Sequence, residues 1–286
     1  MKAILNFISS FFKKNTNEET KIVVPNKDLE PTQKPVPEDK TEIKNEVPLP
    51  KDIAQPVENK KVTQEVKVSP QVDKLKVAPK KELWYTKAKK WAKQMKTRGK
   101  YRKGYPEGAI IHFTAGRYGT QDMDSGIANG FAYLLIDDKG NVYQANSLDS
   151  WGYHAGVSSW KSLGSGVSEF LVGIEITAAG KVKKVGESYQ TWFKDVLKKD
   201  QVREVKAKDN VQAGIYQKYT DEQEKALIDL LIWLKDNNPD VFSFDLVLGH
   251  DEVAPTRKND PGGALSCTMP EFREKLKKLY KEKKDT

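Results

Sequence analysis

Apolar side chains gather into short blocks beyond residue 108 and thin out before it. Ala109-Ile110-Ile111-His112-Phe113-Thr114-Ala115 reads as a buried strand ended by Gly116. Ala132-Tyr133-Leu134-Leu135-Ile136 and Val142-Tyr143-Gln144-Ala145 read as two strands about the turn Asp138-Lys139-Gly140-Asn141, a hairpin pattern. Phe170 to Ile176 forms another strand, and Phe244 to Leu248 is a strand leading into Gly249-His250. Leu227, Leu230, Leu231 and Leu234 repeat at helical spacing behind a capping box of Thr220 and Gln223. A second box, Thr268 with Glu271, opens a helix through Phe272, Leu276 and Leu279. Strands interspersed with long helices predict an α/β fold, a central mixed sheet flanked by helices, in one domain over residues 105–286. The charged, weakly periodic stretch 181–218 is expected to be helix and loop.

The first 80 residues contrast with this. They hold nine of the fourteen prolines and none of the nineteen glycines. Residues 15–80 have no helix or strand period and little to bury, so they are expected to be a disordered, extended tether. Within residues 1–14, Ile4, Leu5, Ile8, Phe11 and Phe12 share one helical face, which suits an interfacial helix on a membrane or partner. Trp84, Ala88, Trp91 and Met95 also repeat at helical spacing, predicting a basic helix and cationic loop over residues 81–104.

Composition narrows the function classes. The 286 residues carry 49 basic and 40 acidic side chains, three histidines and one cysteine. No apolar run reaches the ~18–20 residues of a membrane-spanning helix. One cysteine excludes an internal disulfide framework, and the His and Cys count allows at most one ordinary zinc site. Residues 81–107 hold ten basic against two acidic residues, whereas residues 108–286 hold 24 against 26. The basic stretch suits an anionic polymer such as a cell wall, nucleic acid, or merely a solvated face.

Polar residues inside apolar strands mark candidate chemistry. His112 and Thr114 share one strand face by the two-residue period. Glu175, between Ile174 and Ile176, would be costly as an unpaired carboxylate and calls for a cation, a donor network or a catalytic duty. His250 lies just past a strand end, with Asp260 ten residues on. Pro261 biases Asp260 toward an extended conformation, which puts an extended Lys258 on the same side. That pair is either a surface ion pair or an oxyanion stabiliser beside a metal ligand. Two histidines with one carboxylate can hold a catalytic zinc and leave a fourth position open.

In order along the chain stand Ile111-His112-Phe113-Thr114-Ala115-Gly116, Ala132-Tyr133-Leu134-Leu135-Ile136, Trp151-Gly152-Tyr153-His154-Ala155-Gly156-Val157-Ser158, Val172-Gly173-Ile174-Glu175-Ile176, Gly249-His250-Asp251 and Lys258-Asn259-Asp260-Pro261-Gly262. This set resembles the zinc-dependent N-acetylmuramoyl-L-alanine amidases, whose fold is shared with peptidoglycan recognition proteins. The resemblance implies Zn²⁺ held by His112, His250 and Asp260, Glu175 as general base and Lys258 at the developing oxyanion. It places His154, Trp151 and Thr114 on the substrate groove. Tyr133 is expected to pack or line the groove, and Cys267 to be a buried or free thiol. The implied substrate is peptidoglycan, cut between N-acetylmuramic acid and L-alanine; separately, a monomer with no nucleic-acid partner is expected. A phage lysin (endolysin) fits this reading, with a membrane-held wall-remodelling enzyme as the runner-up. Residues 1–14 and 81–107 are the expected membrane or wall contacts. A non-catalytic peptidoglycan-binding module and an anionic-surface binder are the rival classes.

Overall fold

The structure is a computed structural model and describes residues 82–286. The expected interfacial helix at 1–14 and tether at 15–80 lie outside the described residues. In chain order the main strands are β1 (Lys89–Lys90), β2 (Gly108–Phe113), β3 (Leu134–Ile136), β4 (Val142–Gln144) and β5 (Leu171–Ile176). Then follow β6 (Lys181–Val185), β7 (Ser188–Gln190), β8 (Val196–Leu197), β9 (Val202–Val205), β10 (Gly214–Gln217) and β11 (Val247–Gly249). The helices are α1 (Gln121–Ala128), α2 (Asp221–Asn237), α3 (His250–Val253) and α4 (Met269–Lys284).

Six strands form the main sheet in the order β1-β4-β3-β5-β2-β11. Only the β3–β4 hairpin is antiparallel; the other neighbours run parallel. The mixed sheet expected from the sequence is therefore present. Its hairpin turn closes on Asp137, whose carboxylate accepts from the backbone N–H of Lys139 and Asn141 at 3.0 and 2.8 Å. Gly140 supplies the left-handed residue there, at φ 75°.

Strand periodicity separates the two faces. Ile111 on β2 and Val172, Ile174 and Ile176 on β5 belong to the large core with Leu227, Leu231, Leu234, Phe272 and Leu276 of α2 and α4. Ile110 and Leu171 belong to a smaller cluster on the opposite side, with Leu248 and Val253. By the two-residue alternation His112, Gly173 and Glu175 share that second side. Both capping boxes form: Thr220 Oγ1 accepts from Gln223 N at 3.1 Å, and Glu271 accepts from Thr268 N at 2.9 Å. Each such cap is worth about 1 kcal/mol.

Three expectations need correction. Residues 82–104 contain no helix. Their backbone is claimed by tertiary partners: Trp91 N donates to Gln144 O, Tyr85 N to Gln144 Oε1 and Met95 N to Asn146 Oδ1. Met95 and Tyr85 still reach the core, but from an extended path alongside β4. The cations of this stretch also find acids of the same domain, as in Lys93–Asp124, Lys100–Asp149 and Arg102–Glu169. The insert 181–218 is not helix and loop but an antiparallel sheet in the order β8-β7-β6-β10-β9. Val182, Leu197 and Ala179 give it a core of its own. Lastly, Phe244–Leu246 form a 3₁₀ turn rather than a strand, because Ser243 Oγ accepts from Asp245 N and caps it.

No helix among the described residues is long and apolar enough to cross a membrane.

Candidate metal centre

The parallel ladder between β2 and β5 sets His112 opposite Glu175. Beside β2, β11 ends at Gly249 and delivers His250 as the first residue of α3. The turn into α3 is pinned by Glu252, which accepts from Gly249 N at 3.0 Å and is itself held by both Nη atoms of Arg273. The following loop folds back so that Asp251 N donates to Asp260 O at 2.8 Å. Residues 112, 250 and 260, distant in sequence, thereby meet.

Their geometry is close. His112 Nδ1 lies 2.9 Å from His250 Nδ1, and each nitrogen is 3.0 Å from Asp260 Oδ2. All three residues are buried. The other ring nitrogens decide where the protons are. His250 Nε2 faces the Ala155 carbonyl at 3.1 Å, and a carbonyl only accepts, so that nitrogen carries the proton. His154 Nε2 faces the Leu171 carbonyl at 2.9 Å and is protonated for the same reason. In neutral His154, Nδ1 is then an acceptor, and it takes the proton of His112 Nε2 at 3.0 Å.

Two imidazole lone pairs and a carboxylate oxygen are left converging, with nothing of positive charge between them. Such a triad is repulsive unless a cation occupies it. Ligand atoms bonded to one zinc at about 2.0–2.2 Å sit about 3–3.5 Å from each other, close to the observed separations. The donor set thus fits a divalent ion of nitrogen and oxygen preference.

Burial, helped by the neighbouring His250, pushes His112 down to about 4 from an ordinary 6.5, against the pull of Asp260. Burial likewise holds His154 well below its usual value. Both shifts favour the neutral rings that the hydrogen-bond chain requires. Burial pushes the Glu175 carboxyl up to about 8, the Asp260 charge adding and Lys258 opposing.

A cavity of about 530 Å³ opens over the three residues. Glu175, Lys258 and Thr114 line it. His154 touches it too, but as a buried ring behind His112 rather than as an exposed wall. Trp151 is not on the cavity. It sits in the short pairing of Ser150–Trp151 with Gly99–Lys100 and packs its indole on the main core rather than on the cavity wall. Tyr133 is buried packing, its hydroxyl donating to Ser150 O at 2.7 Å. Cys267 is a free thiol away from the triad, in a separate depression with Arg203 and Lys208.

Sequence reasoning missed Asp122 and Arg257, which also line the cavity. Arg257 reaches the Ala155 and Val157 carbonyls at 2.7 and 2.8 Å, joining the Asp260 loop to the segment after His154. Its place beside Lys258 was the available signal; Asp122 lies in the helix between two of the motifs but belongs to neither, and its own stretch gave no sign of it. Tyr219 was missed as well: its hydroxyl donates to the His112 carbonyl at 3.0 Å and fixes that residue's backbone.

No curated protein sequence matches the chain. Among solved structures, a selenomethionine derivative of AmpD is 21% identical with a TM-score of 0.44, over 68% of this chain and 97% of that one. AmpDh3 from Pseudomonas aeruginosa, in complex with an anhydromuramic pentapeptide, is 18% identical with a TM-score of 0.42, over 65% of this chain and 64% of that one. The endolysin amidase LysCS from Clostridium intestinale is 16% identical with a TM-score of 0.42, over 67% and 96%. The profile of one family, described as N-acetylmuramoyl-L-alanine amidase, matches residues 102–263. That span is more than half of the 286 residues and takes in all of the converging side chains, and the chain belongs to the N-acetylmuramoyl-L-alanine amidase family.

Proposed function

We propose that this amidase is zinc-dependent and that it hydrolyses the amide between the lactyl group of N-acetylmuramic acid and L-alanine. The observation that carries the reading is the convergence of His112 Nδ1, His250 Nδ1 and Asp260 Oδ2, which the partners of the outer ring nitrogens leave as three acceptors. Zinc bound there supplies Lewis acidity, lowering the pKa of a water toward ~7 and polarising a carbonyl.

The chain's own residues supply the rest. Glu175 faces the cavity and is set opposite His112 in the sheet ladder. As general base it accepts a proton from the attacking water and passes it to the departing L-alanine nitrogen, so the amine leaves neutral. Its burial keeps it reluctant to ionise, which suits a group that must take up and release one proton per turnover. Lys258 also lines the cavity, and its positive charge stabilises the oxygen that becomes negative as water adds to the amide carbon. His154 is a positioning residue that sets the tautomer of His112. Thr114 Oγ1 accepts from Gly116 N at 3.2 Å and shapes the cavity lip.

The test is metal content of the purified protein, followed by release of stem peptide from a defined muropeptide before and after chelation. About one zinc per chain, with activity lost on chelation and restored by zinc, is expected. Full-rate release from metal-free protein, or wild-type turnover by His112→Ala, overturns the zinc mechanism.

A further inference from the structure

The insert sheet β6–β10 carries a turn, residues 191–195, that reaches the rim of the cavity. The turn closes on itself through Thr191 N to Asp195 O and Asp195 N to Thr191 Oγ1, at 2.9 and 3.0 Å. It is tied to the rim at two points. Trp192 Nε1 donates to the Ala115 carbonyl at 2.7 Å, and Ala115 itself lines the cavity. Arg117 reaches Asp195 through Nε and Nη2, at 2.7 and 3.0 Å, with its guanidinium 4.6 Å from the centre of the Phe193 ring. Phe193 in turn meets the Trp192 ring edge-on at 5.2 Å.

Trp192 is nevertheless 68% exposed. The ring is held in place by the Ala115 hydrogen bond and the Phe193 edge, yet about two thirds of it is left in water, an apolar surface presented to a ligand rather than to the core. Its one donor is already spent on Ala115, and the neighbouring guanidinium is engaged by Asp195 and the Phe193 carbonyl. What remains is a flat, uncharged apolar face.

We propose that Trp192 is a saccharide-stacking platform that takes a pyranose ring of the glycan strand just outside the catalytic cavity. The proposal rests on the peptidoglycan reading above and names a subsite of that substrate. The cavity has the size of a small-ligand pocket, so a polymeric substrate must continue across its rim. Ala115 makes the rim and the indole continuous. A pyranose offers a face of C–H groups while its hydroxyls stay in water, which complements an indole with no free donor.

The experiment compares Trp192→Ala and Trp192→Phe in the full chain on two substrates: peptide-bearing glycan strands of many disaccharides, and a single disaccharide-peptide. Trp192→Ala is expected to lose about tenfold in kcat/KM on strands and less than about threefold on the single unit, since a stacked aromatic contributes on the order of 1.4 kcal/mol. Trp192→Phe keeps an aromatic face and is expected to recover most of the loss. Equal losses on both substrates, no loss on either, or a Phe variant as impaired as the Ala variant overturn the proposal. The last outcome would assign Trp192 to holding the Ala115 rim. Binding of peptide-free glycan strands to wild type and Trp192→Ala separates this question from catalysis. A wild type that binds strands through Trp192 but cleaves neither substrate sinks the amidase reading and keeps the platform. A wild type that cleaves both with strand binding indifferent to Trp192 does the reverse.

Discussion

His154 lies directly over Gly173. A β-carbon added at Gly173 would meet His154 Cγ at 2.5 Å and Nδ1 at 2.8 Å, so the strand carries a glycine in its middle to admit the ring. The ring it admits takes the Nε2 proton of His112 at 3.0 Å. Gly173→Ala is therefore expected to push His154 off His112 and lower zinc affinity by about 10–100-fold, the usual effect of losing a partner of a ligating histidine. Titration against a competing chelator measures it; unchanged affinity in a well-folded variant would remove His154 from the metal site.

Chemistry and volume at His154 can be told apart. His154→Phe fills the space but strands the His112 Nε2 proton without an acceptor, at a cost of about 1–3 kcal/mol. His154→Gln can offer an amide oxygen in its place. The Gln variant should hold zinc more tightly than the Phe variant. Equal affinities would mean that the ring only packs.

Ligands and proton-handling groups should separate by metal content. His250→Ala is expected to lose both zinc and activity. Glu175→Gln should keep its zinc while kcat falls by about 10²–10⁴-fold. Lys258→Met should also keep zinc and lose about 10²–10³-fold. Atomic absorption beside a turnover assay sorts the three; a Glu175→Gln protein with wild-type kcat would falsify the general-base assignment.

Glu175 also leaves a mark on stability in protein stripped of metal. Its carboxyl is raised from 4.5 to about 8 in the fold, so between those values the folded state holds a proton that the unfolded state has released. Stability from this group is therefore full below about pH 4.5 and is lost as pH rises toward 8. His112, lowered from 6.5 to about 4, acts in the opposite sense, losing stability as pH falls from 6.5 toward 4. Comparing Glu175→Gln with wild type cancels the histidine contribution. The Tm advantage of the variant should grow by about 5 °C or more from pH 5 to pH 8. A constant difference across that range would contradict the burial of Glu175 as a neutral acid.

Arg273 links a structural pair to the site. Its guanidinium meets both oxygens of Glu252, whose side chain is almost wholly buried and caps the turn that presents His250. Arg273→Met should leave that carboxylate uncompensated and cost about 3–5 kcal/mol. Denaturant unfolding of wild type and variant provides the measurement.

The chain announces its chemistry well before it announces its layout. The strand holding His112, the hairpin at Gly140, the strand holding Glu175 and both capped helices were readable because each rests on local rules: alternation, turn residues and caps. The motifs named His112, His250, Asp260, Glu175 and Lys258 as site candidates, since ionisable groups beside apolar strands have few structural excuses. What only the tertiary structure decided depends on partners far along the chain. Helical spacing at Trp84–Met95 lost to backbone bonds offered by Gln144 and Asn146. The charged insert became a sheet because five short strands, each too polar to show a pattern alone, supply one another's hydrogen bonds. Trp151 went to the core, His154 behind a ligand and Trp192 to the rim, because where a side chain ends up is set by the neighbours that folding brings to it, and these are written nowhere in its own stretch of sequence.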